Sequence, residues 1–329
     1  MGSFRKILSV FLAAAMLAGG AVSSFAASDS VLVREIEEVA EDYNLPEEFL
    51  EEIEDRERLP LSEFWQTVAN HNLSVEFMQR FTEDYYVYKK NNAYHFQAIN
   101  PNIPHNSYDW SNLVRHEDSN EVRYVVDGEN HGVKGIDVSS YQGDIDWRQV
   151  RNDGVRYAFI RLGYRGYGTG VMMTDEYFEK NYKEARDAGV KVGVYFYSQA
   201  ISIAEAKEEA DYVLDVLDGR ELDFPIAFDI EGAPNASART AGMTPAMTTA
   251  MVNAFCKRVE AEGYDTILYT YTRYLFTNME IANLQNHKLW IAQYYKVPFY
   301  PYRFQIWQYS SKGKVNGING DVDLNIMFQ

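Results

Sequence analysis

The chain is almost devoid of cysteine: Cys256 is the only one in 329 residues. That excludes an intramolecular disulfide, a cysteine-based zinc site and a CxxC redox pair. Histidine is scarce as well. His71, His95, His105, His116, His131 and His287 show no HxH or HxxxH spacing, so no metal site is expected. Basic side chains are in deficit, with 31 Lys+Arg against 48 Asp+Glu and a formal charge of −17. Phosphate neutralisation needs the opposite surplus, so no nucleic-acid partner is expected. There is no GxSxG elbow, and His287 is the one histidine well inside the C-terminal part, which removes a Ser–His hydrolase. The run Gly163-Tyr-Arg-Gly166-Tyr-Gly168-Thr-Gly170 is glycine-rich but lacks GxGxxG spacing and opens no helix. It reads as a mobile loop over a site, not as a phosphate cradle, and no cofactor is expected.

Long hydrophobic runs are also missing, with one exception. Arg5 and Lys6 precede the apolar stretch from Ile7 to Ala18, and Ser24-Phe25-Ala26 offers small residues for cleavage. Residues 1–27 therefore read as a secretory signal peptide cut after Ala26 or Ala27. An uncleaved anchor is the competing reading, but the run is short for a membrane span. Cleavage would remove two basic side chains and take the charge to −19. The expectation is a secreted or cell-wall-associated protein, off the membrane once processed. Export without disulfides suggests a bacterial origin.

What remains has globular composition, 46% hydrophobic and 24% charged, and divides into two unlike parts. Residues 28–132 are acidic and polar, and read as a small, mostly helical accessory or spacer region. Val31 to Tyr43 reads as an amphipathic helix, Pro46 starts a second one, and Tyr85 to Gln97 reads as a hairpin turning at Asn91-Asn92, followed by a loop from Asn100 to Pro104. Between Arg34 and Arg58 stand 12 acidic and 3 basic residues, which reads as a solvated face. No catalytic constellation is found there.

From Val133 the pattern changes. Strand-length apolar runs at Lys134–Val138, Tyr157–Leu162, Lys191–Tyr197, Pro225–Ile230, Thr266–Tyr271, Leu289–Tyr294, Phe304–Tyr309 and Asp321–Leu324 alternate, in their first part, with helical segments. The helices are expected at Asp146–Asn152, Asp175–Ala188, Ile203–Leu217, Pro245–Glu262 and Thr272–Gln285. Strand–helix alternation calls for parallel strands with right-handed crossovers. Residues 133–329 thus spell an irregular TIM-like (β/α)5(β)3 barrel of α/β class, its last three strands without helical cover.

Side-chain parity points to one end of that barrel. In Pro225–Glu231, Ile226, Phe228 and Ile230 share one face, and Ala227, Asp229 and Glu231 share the other. Gly135 and Asp137 alternate with Ile136 and Val138 in the first strand, and Gly193, Tyr195 and Tyr197 with Val192, Val194 and Phe196 in the third. The inward faces become polar or aromatic towards the C-terminal strand ends, where active sites of this fold class lie. Carboxylates at i and i+2 have β-carbons about 6–7 Å apart, and ionising both in a partly desolvated pocket is costly. A neutral acid beside an ionised carboxylate suits glycosidic cleavage. Asp229 and Glu231 are therefore the candidate catalytic pair, with Asp137 and Asp323 at neighbouring strand ends. Tyr195, Tyr197, Tyr269, Tyr271, Trp290, Tyr294, Trp307 and Tyr309 all fall on expected strands. Flat rings can stack on sugars, and the group around Trp290 and Trp307 is the expected contact surface.

These stretches together resemble glycoside hydrolase family 25, the lysozymes. The matching segments are Gly135-Ile-Asp137-Val-Ser139-Ser-Tyr-Gln142, Phe159-Ile-Arg161, Gly193-Val-Tyr195-Phe-Tyr197, Pro225-Ile-Ala-Phe-Asp229-Ile-Glu231, Leu289-Trp290-Ile-Ala-Gln-Tyr294, Trp307-Gln-Tyr309 and Asp321-Val-Asp323-Leu-Asn325, in family order. The resemblance covers Val133 to Gln329 and not residues 28–132. It implies a β-1,4-N-acetylmuramidase that cleaves peptidoglycan glycan strands between N-acetylmuramic acid and N-acetylglucosamine with retention. Glu231 matches the general acid, Asp229 the carboxylate that orients the 2-acetamido group or stabilises the developing cation, and Asp137 and Asp323 two further site aspartates. Arg161, Tyr195, Tyr197, Tyr271, Trp290, Tyr294 and Trp307 are the expected substrate-binding residues. The choice between covalent and oxazolinium intermediates stays open. Many members carry histidine after the tyrosine of the third strand, where this chain has Phe196.

Other readings compete. One is an endo-hexosaminidase on another N-acetylhexosamine polymer, although its DxxDxDxE pattern is absent; the other is a non-catalytic glycan-binding barrel. No wall-binding repeat is visible, and residues 28–132 are expected to position or restrain the barrel during remodelling of the producer's own wall. The oligomeric state is not readable from the sequence.

Overall fold

The computed structural model describes residues 30–116, 121–233 and 235–329. The N-terminal run read as a signal peptide lies outside them. Among the described residues no helix is long and apolar enough to cross a membrane. The described residues form two compact units, one ending at Asn72 and the other beginning at Leu73.

In the first unit a strand Ser30–Leu32 pairs antiparallel with Arg58–Pro60, and helices Val33–Glu37, Glu47–Ile53 and Leu61–Asn70 bury Ile36, Phe49, Ile53, Phe64 and Val68. The helix expected over Val31–Tyr43 is shorter than its periodicity suggests. Val31 and Leu32 are used by the strand, and the helix gives way to turns that end at Asn44 in the left-handed region, φ 50°. Pro46 does cap the next helix, with φ −63°. Every acidic residue between Arg34 and Arg58 is exposed, as a solvated face requires.

The second unit holds the barrel. Its strands are β1 (Gly132–Val138), β2 (Tyr157–Arg165), β3 (Lys191–Ser198), β4 (Ile226–Ile230), β5 (Thr266–Tyr271), β6 (Leu289–Ala292), β7 (Ile306–Gly313) and β8 (Val322–Phe328). Helices α1 (Trp147–Asn152), α2 (Phe178–Asp187), α3 (Ile203–Leu217), α4 (Pro245–Glu260) and α5 (Thr272–Asn278) fill the first five connections. The caps follow from sequence: Asp146, Ser202 and Thr244 accept backbone N–H bonds at the starts of α1, α3 and α4. Strands β1 to β7 pair in parallel, whereas β8 runs antiparallel to both β7 and β1 and closes the barrel. The stretch from Gly313 to Val322 is too short for a crossover, so the β7–β8 connection is a hairpin.

Period-two alternation holds around the wall. Ile136, Val138, Val192, Val194, Phe196, Ile226, Phe228 and Ile230 join the outer core beneath the helices. Tyr157, Phe159, Ala227, Ile267, Trp290 and Ile306 fill the interior, with Tyr195 and Tyr269 packed against them. The glycine-rich run is a hairpin arm, not a free loop. β2 continues through Gly163 to Arg165, turns, and returns as Met172–Thr174. A β-carbon at Gly163 would lie 2.5 Å from the Met173 carbonyl oxygen, so the close pairing needs glycine there.

Residues 73–132 supply what the last three strands lack. The hairpin Tyr85–Lys90/Ala93–Ala98 turns at Asn91 and Asn92, both at positive φ (51° and 60°), as a primed two-residue turn demands. Tyr86 stacks on Phe276 of α5 at 4.1 Å and 5°. A further sheet, Leu113–His116/Glu121–Val126/Glu129–Asn130, was not anticipated from the sequence. Ile103, Val122 and Tyr124 share one buried core with Tyr300, Tyr302, Phe304 and Tyr309. The Tyr108 phenol donates to the Phe304 carbonyl at 2.9 Å, and Arg115 donates to the carbonyls of Tyr295 and Lys296. This segment stands where crossover helices would otherwise cover β6 to β8.

Candidate functional site

Register explains how distant residues meet. Closure pairs Asp323 with Asp137 across β8 and β1. Tyr197 pairs with Asp229 across β3 and β4, and Asp229 with Tyr269 across β4 and β5. Directly paired residues have α-carbons about 4.5–5.5 Å apart in an antiparallel ladder. Asp137, Asp229, Glu231 and Asp323 consequently line one cleft of about 960 Å³, together with Tyr195, Tyr197, Arg161, Trp290, Tyr294 and Tyr269.

The carboxyls share a poorly hydrated space. Asp137 and Asp229 are buried. Burial raises Asp137 from 3.8 to about 6, against the opposing pull of hydrogen bonds from Asn325 and Gln308. Burial together with the charges of Asp137 and Glu231 lifts Asp323 to about 8. Asp229 is pushed well above the usual carboxylate range by burial, by the Glu231 and Asp137 charges, and by a hydrogen bond with Glu231. Burial also raises Glu231, with Asp137 adding to it and the Asp229 bond opposing it. Four such groups cannot all ionise together, so the cluster keeps protons at neutral pH. One oxygen of Asp229, Oδ1, is buried without a hydrogen-bond partner.

A relay of neutral side chains fixes Asp137. Its Oδ2 accepts from Gln308 Nε2 at 2.9 Å and from Asn325 Nδ2 at 2.7 Å. Gln308 Oε1 accepts the phenols of Tyr269 and Tyr294, and Asn325 Oδ1 accepts the Trp290 indole N–H at 2.7 Å. Gln308 was not singled out from sequence, although it stands between Trp307 and Tyr309 with inward parity.

The aromatic expectation needs correction at two positions. Trp307 is fully buried on the outer face of β7 and its indole donates to the Gln293 carbonyl at 2.7 Å. Ile306 and Gln308 occupy the inward positions on either side, so alternation sends Trp307 away from the cleft. Tyr271, by contrast, stands beside the acids: a β-carbon on Gly232 would lie 2.4 Å from its phenol oxygen, and the Glu231 charge adds to burial in raising that phenol. Trp290 does border the cleft, but only as its floor. It stacks on Phe159 at 4.4 Å with 1% of its surface exposed, which leaves no free ring face for a sugar. Phe196 is buried in the outer core, as parity requires.

Arg161 borders the cleft yet is heavily engaged. It donates through Nε to Asp175 at 2.7 Å and through a terminal nitrogen to Ser140 Oγ at 3.0 Å. The glycine-rich hairpin contributes Gly166, Tyr167, Gly168 and Thr169 to one rim, and Ser139 to Gln142 contribute another stretch of the lining.

Comparison with known proteins agrees with this geometry. Residues 136–318 match the family Glycosyl hydrolases family 25. The chain is 31% identical over 194 residues to the autolytic lysozyme of Clostridium acetobutylicum, covering 59% of this chain and 55% of that one, so it spans about half the length of that relative. It is 30% identical over 215 residues to lysozyme M1 of Streptomyces globisporus, covering 62% of this chain and 71% of that one. Among solved structures, the bacterial lysozyme of Streptomyces coelicolor superposes with a TM-score of 0.51 at 30% identity, over 60% of this chain and 92% of that one. The barrel, its cleft of acids and the matched span together make this chain a member of glycosyl hydrolases family 25.

Proposed function

We propose that the protein is a secreted peptidoglycan hydrolase that cleaves the β-1,4 bond between N-acetylmuramic acid and N-acetylglucosamine with retention. The observation that carries this reading is the Asp229–Glu231 pair, held at the C-terminal end of β4 in a cleft that favours protonated carboxyls. Glu231 gives its proton to the glycosidic oxygen as the bond to the anomeric carbon breaks; its carboxylate then takes a proton from the water that adds to that carbon on the same face, which restores the acid and retains configuration. Asp229 faces the positive charge that develops on the sugar, and its unpartnered Oδ1 is free to accept a substrate N–H such as that of a 2-acetamido group. Asp137, ionised above about 6, keeps the site's potential negative, which favours retention of the Glu231 proton until it is used. The relay through Gln308 and Asn325 holds Asp137 in place. The lysozyme and autolytic lysozyme relatives support the substrate class, and the basic, then apolar, N-terminus supports export.

The test is a digest of purified peptidoglycan with wild type and Glu231→Gln in parallel. The wild type is expected to release muropeptides with reducing-end muramic acid, seen by mass spectrometry, and the variant to be at least about 100-fold slower. Reducing-end glucosamine would favour a different hexosaminidase. Equal inertness of both proteins, with glycan still bound, would favour a binding barrel.

A further inference from the structure

Most aromatic rings near the acids are already committed. Trp290 is covered by Phe159, and Tyr269 gives its phenol to Gln308. Tyr141 is the most exposed of the cleft tyrosines, with 86% of its surface exposed against 53% for Tyr167 and 52% for Tyr294. An exposed tyrosine alone is unremarkable, but the mount beneath this one is built with care. Tyr141 sits in a short turn, Ser140–Gln142, closed by reciprocal bonds between Ser139 and Gln142. Asp175, buried, accepts from the Ser140 backbone N–H at 3.1 Å, the Tyr177 backbone N–H at 2.9 Å and Arg161 at 2.7 Å. Gln142 also donates to the Asp321 carbonyl, two residues before Asp323. The Arg161 guanidinium lies 5.0 Å from the centroid of Tyr141 and 5.2 Å from that of Tyr164, a cation between two rings.

The turn follows Asp137 by four residues, so the α-carbons of Tyr141 and Asp137 are at most about 14 Å apart. Tyr141 also lies near enough to Tyr197 to raise its phenol, as Asp229 and Glu231 do. A glycan strand reaching the acids therefore passes this ring. A buried ion pair and a closed turn spent on presenting one apolar face to solvent are consistent with a ligand that covers it.

We infer that Tyr141 is a stacking platform for a sugar ring of the glycan strand, with Asp175 and Arg161 as its positioning residues. This rests on the glycan-hydrolysing reading of the cleft and adds where the strand is gripped beyond the cleavage point.

The experiment measures binding of soluble N-acetylglucosamine–N-acetylmuramic acid oligomers to full-length Glu231→Gln by titration calorimetry, with and without Tyr141→Ala. The alanine is expected to weaken binding about tenfold, the scale of one ring-stacking contact, and Tyr141→Phe or Tyr141→Trp to restore it to within about twofold. In the active protein the loss from Tyr141→Ala should fall on KM and not on kcat. An alanine variant within about twofold of its parent overturns the inference, as does failure of the oligomers to bind Glu231→Gln at all. If the wild type hydrolyses nothing while Tyr141→Ala still weakens binding, the platform stands and the hydrolase reading falls.

Discussion

Replacing Asp137 by asparagine should make the barrel more stable at alkaline pH while abolishing its chemistry. Well below 3.8 the Asp137 carboxyl is neutral in folded and unfolded chains alike and costs nothing. As pH rises from 3.8 towards 6, the unfolded chain releases the proton that the folded one retains, so stability falls. Above about 6 the folded protein carries the full cost of an ionised group inside the barrel. The gap between 3.8 and about 6 is worth roughly 3 kcal/mol at 1.36 kcal/mol per pH unit. Asparagine keeps an oxygen to accept from Gln308 and Asn325, so the relay survives, but it has no proton to lose. Urea unfolding at pH 4 and pH 8, followed by tryptophan fluorescence, measures the effect. Trp290 is a local reporter because its indole is bound to Asn325, which is itself bound to Asp137. Asp137→Asn should lie within about 1 kcal/mol of wild type at pH 4 and exceed it by about 2–3 kcal/mol at pH 8. A stability difference that does not grow with pH, or a variant weaker at pH 8, would refute the reasoning that burial sets this carboxyl's affinity for its proton.

Two further outcomes test the packing. A β-carbon on Gly135 would lie 2.1 Å from the Tyr157 ring, which is itself stacked on Phe224 at 4.7 Å and cannot step aside. Gly135→Ala should cost about 1–3 kcal/mol or more in urea unfolding, and an unchanged midpoint would contradict the interior packing. A chain beginning at residue 133 would uncover the faces of Tyr302, Phe304 and Phe328 now packed against residues 73–132. It should aggregate on size-exclusion chromatography, whereas a chain beginning at Leu73 should elute as a discrete folded species. Equal behaviour of the two would mean that residues 73–132 are dispensable to the barrel.

Much of the site was legible in local pattern. The alternation Ala227, Asp229, Glu231 against Ile226, Phe228, Ile230 needs only the two-residue period of a strand, and the structure puts Ala227 in the interior, Asp229 and Glu231 on the cleft and the other three in the outer core. The same period, applied to β7, already places Trp307 opposite Ile306 and Gln308. Choosing Trp307 as a sugar contact overlooked that, and Gln308 was missed because glutamine carries no chemical signature until its partners are known. Tyr141 escaped for a related reason: its use depends on a buried aspartate 34 positions later in the chain, in no repeating pattern with it.

The sequence by itself determined which faces of each strand are apolar, where the helices start and the Asn91–Asn92 turn falls, and that the C-terminal ends of the strands carry acids, because these depend on neighbours a few residues away. Closure was decided by tertiary structure. It set Asn325 against Asp137, 188 positions apart, turned β8 antiparallel, and wrapped residues 73–132 over strands that have no helices of their own. Such choices depend on which distant surfaces bury one another best, and the spacing of residues along the chain does not encode that sum in any local period.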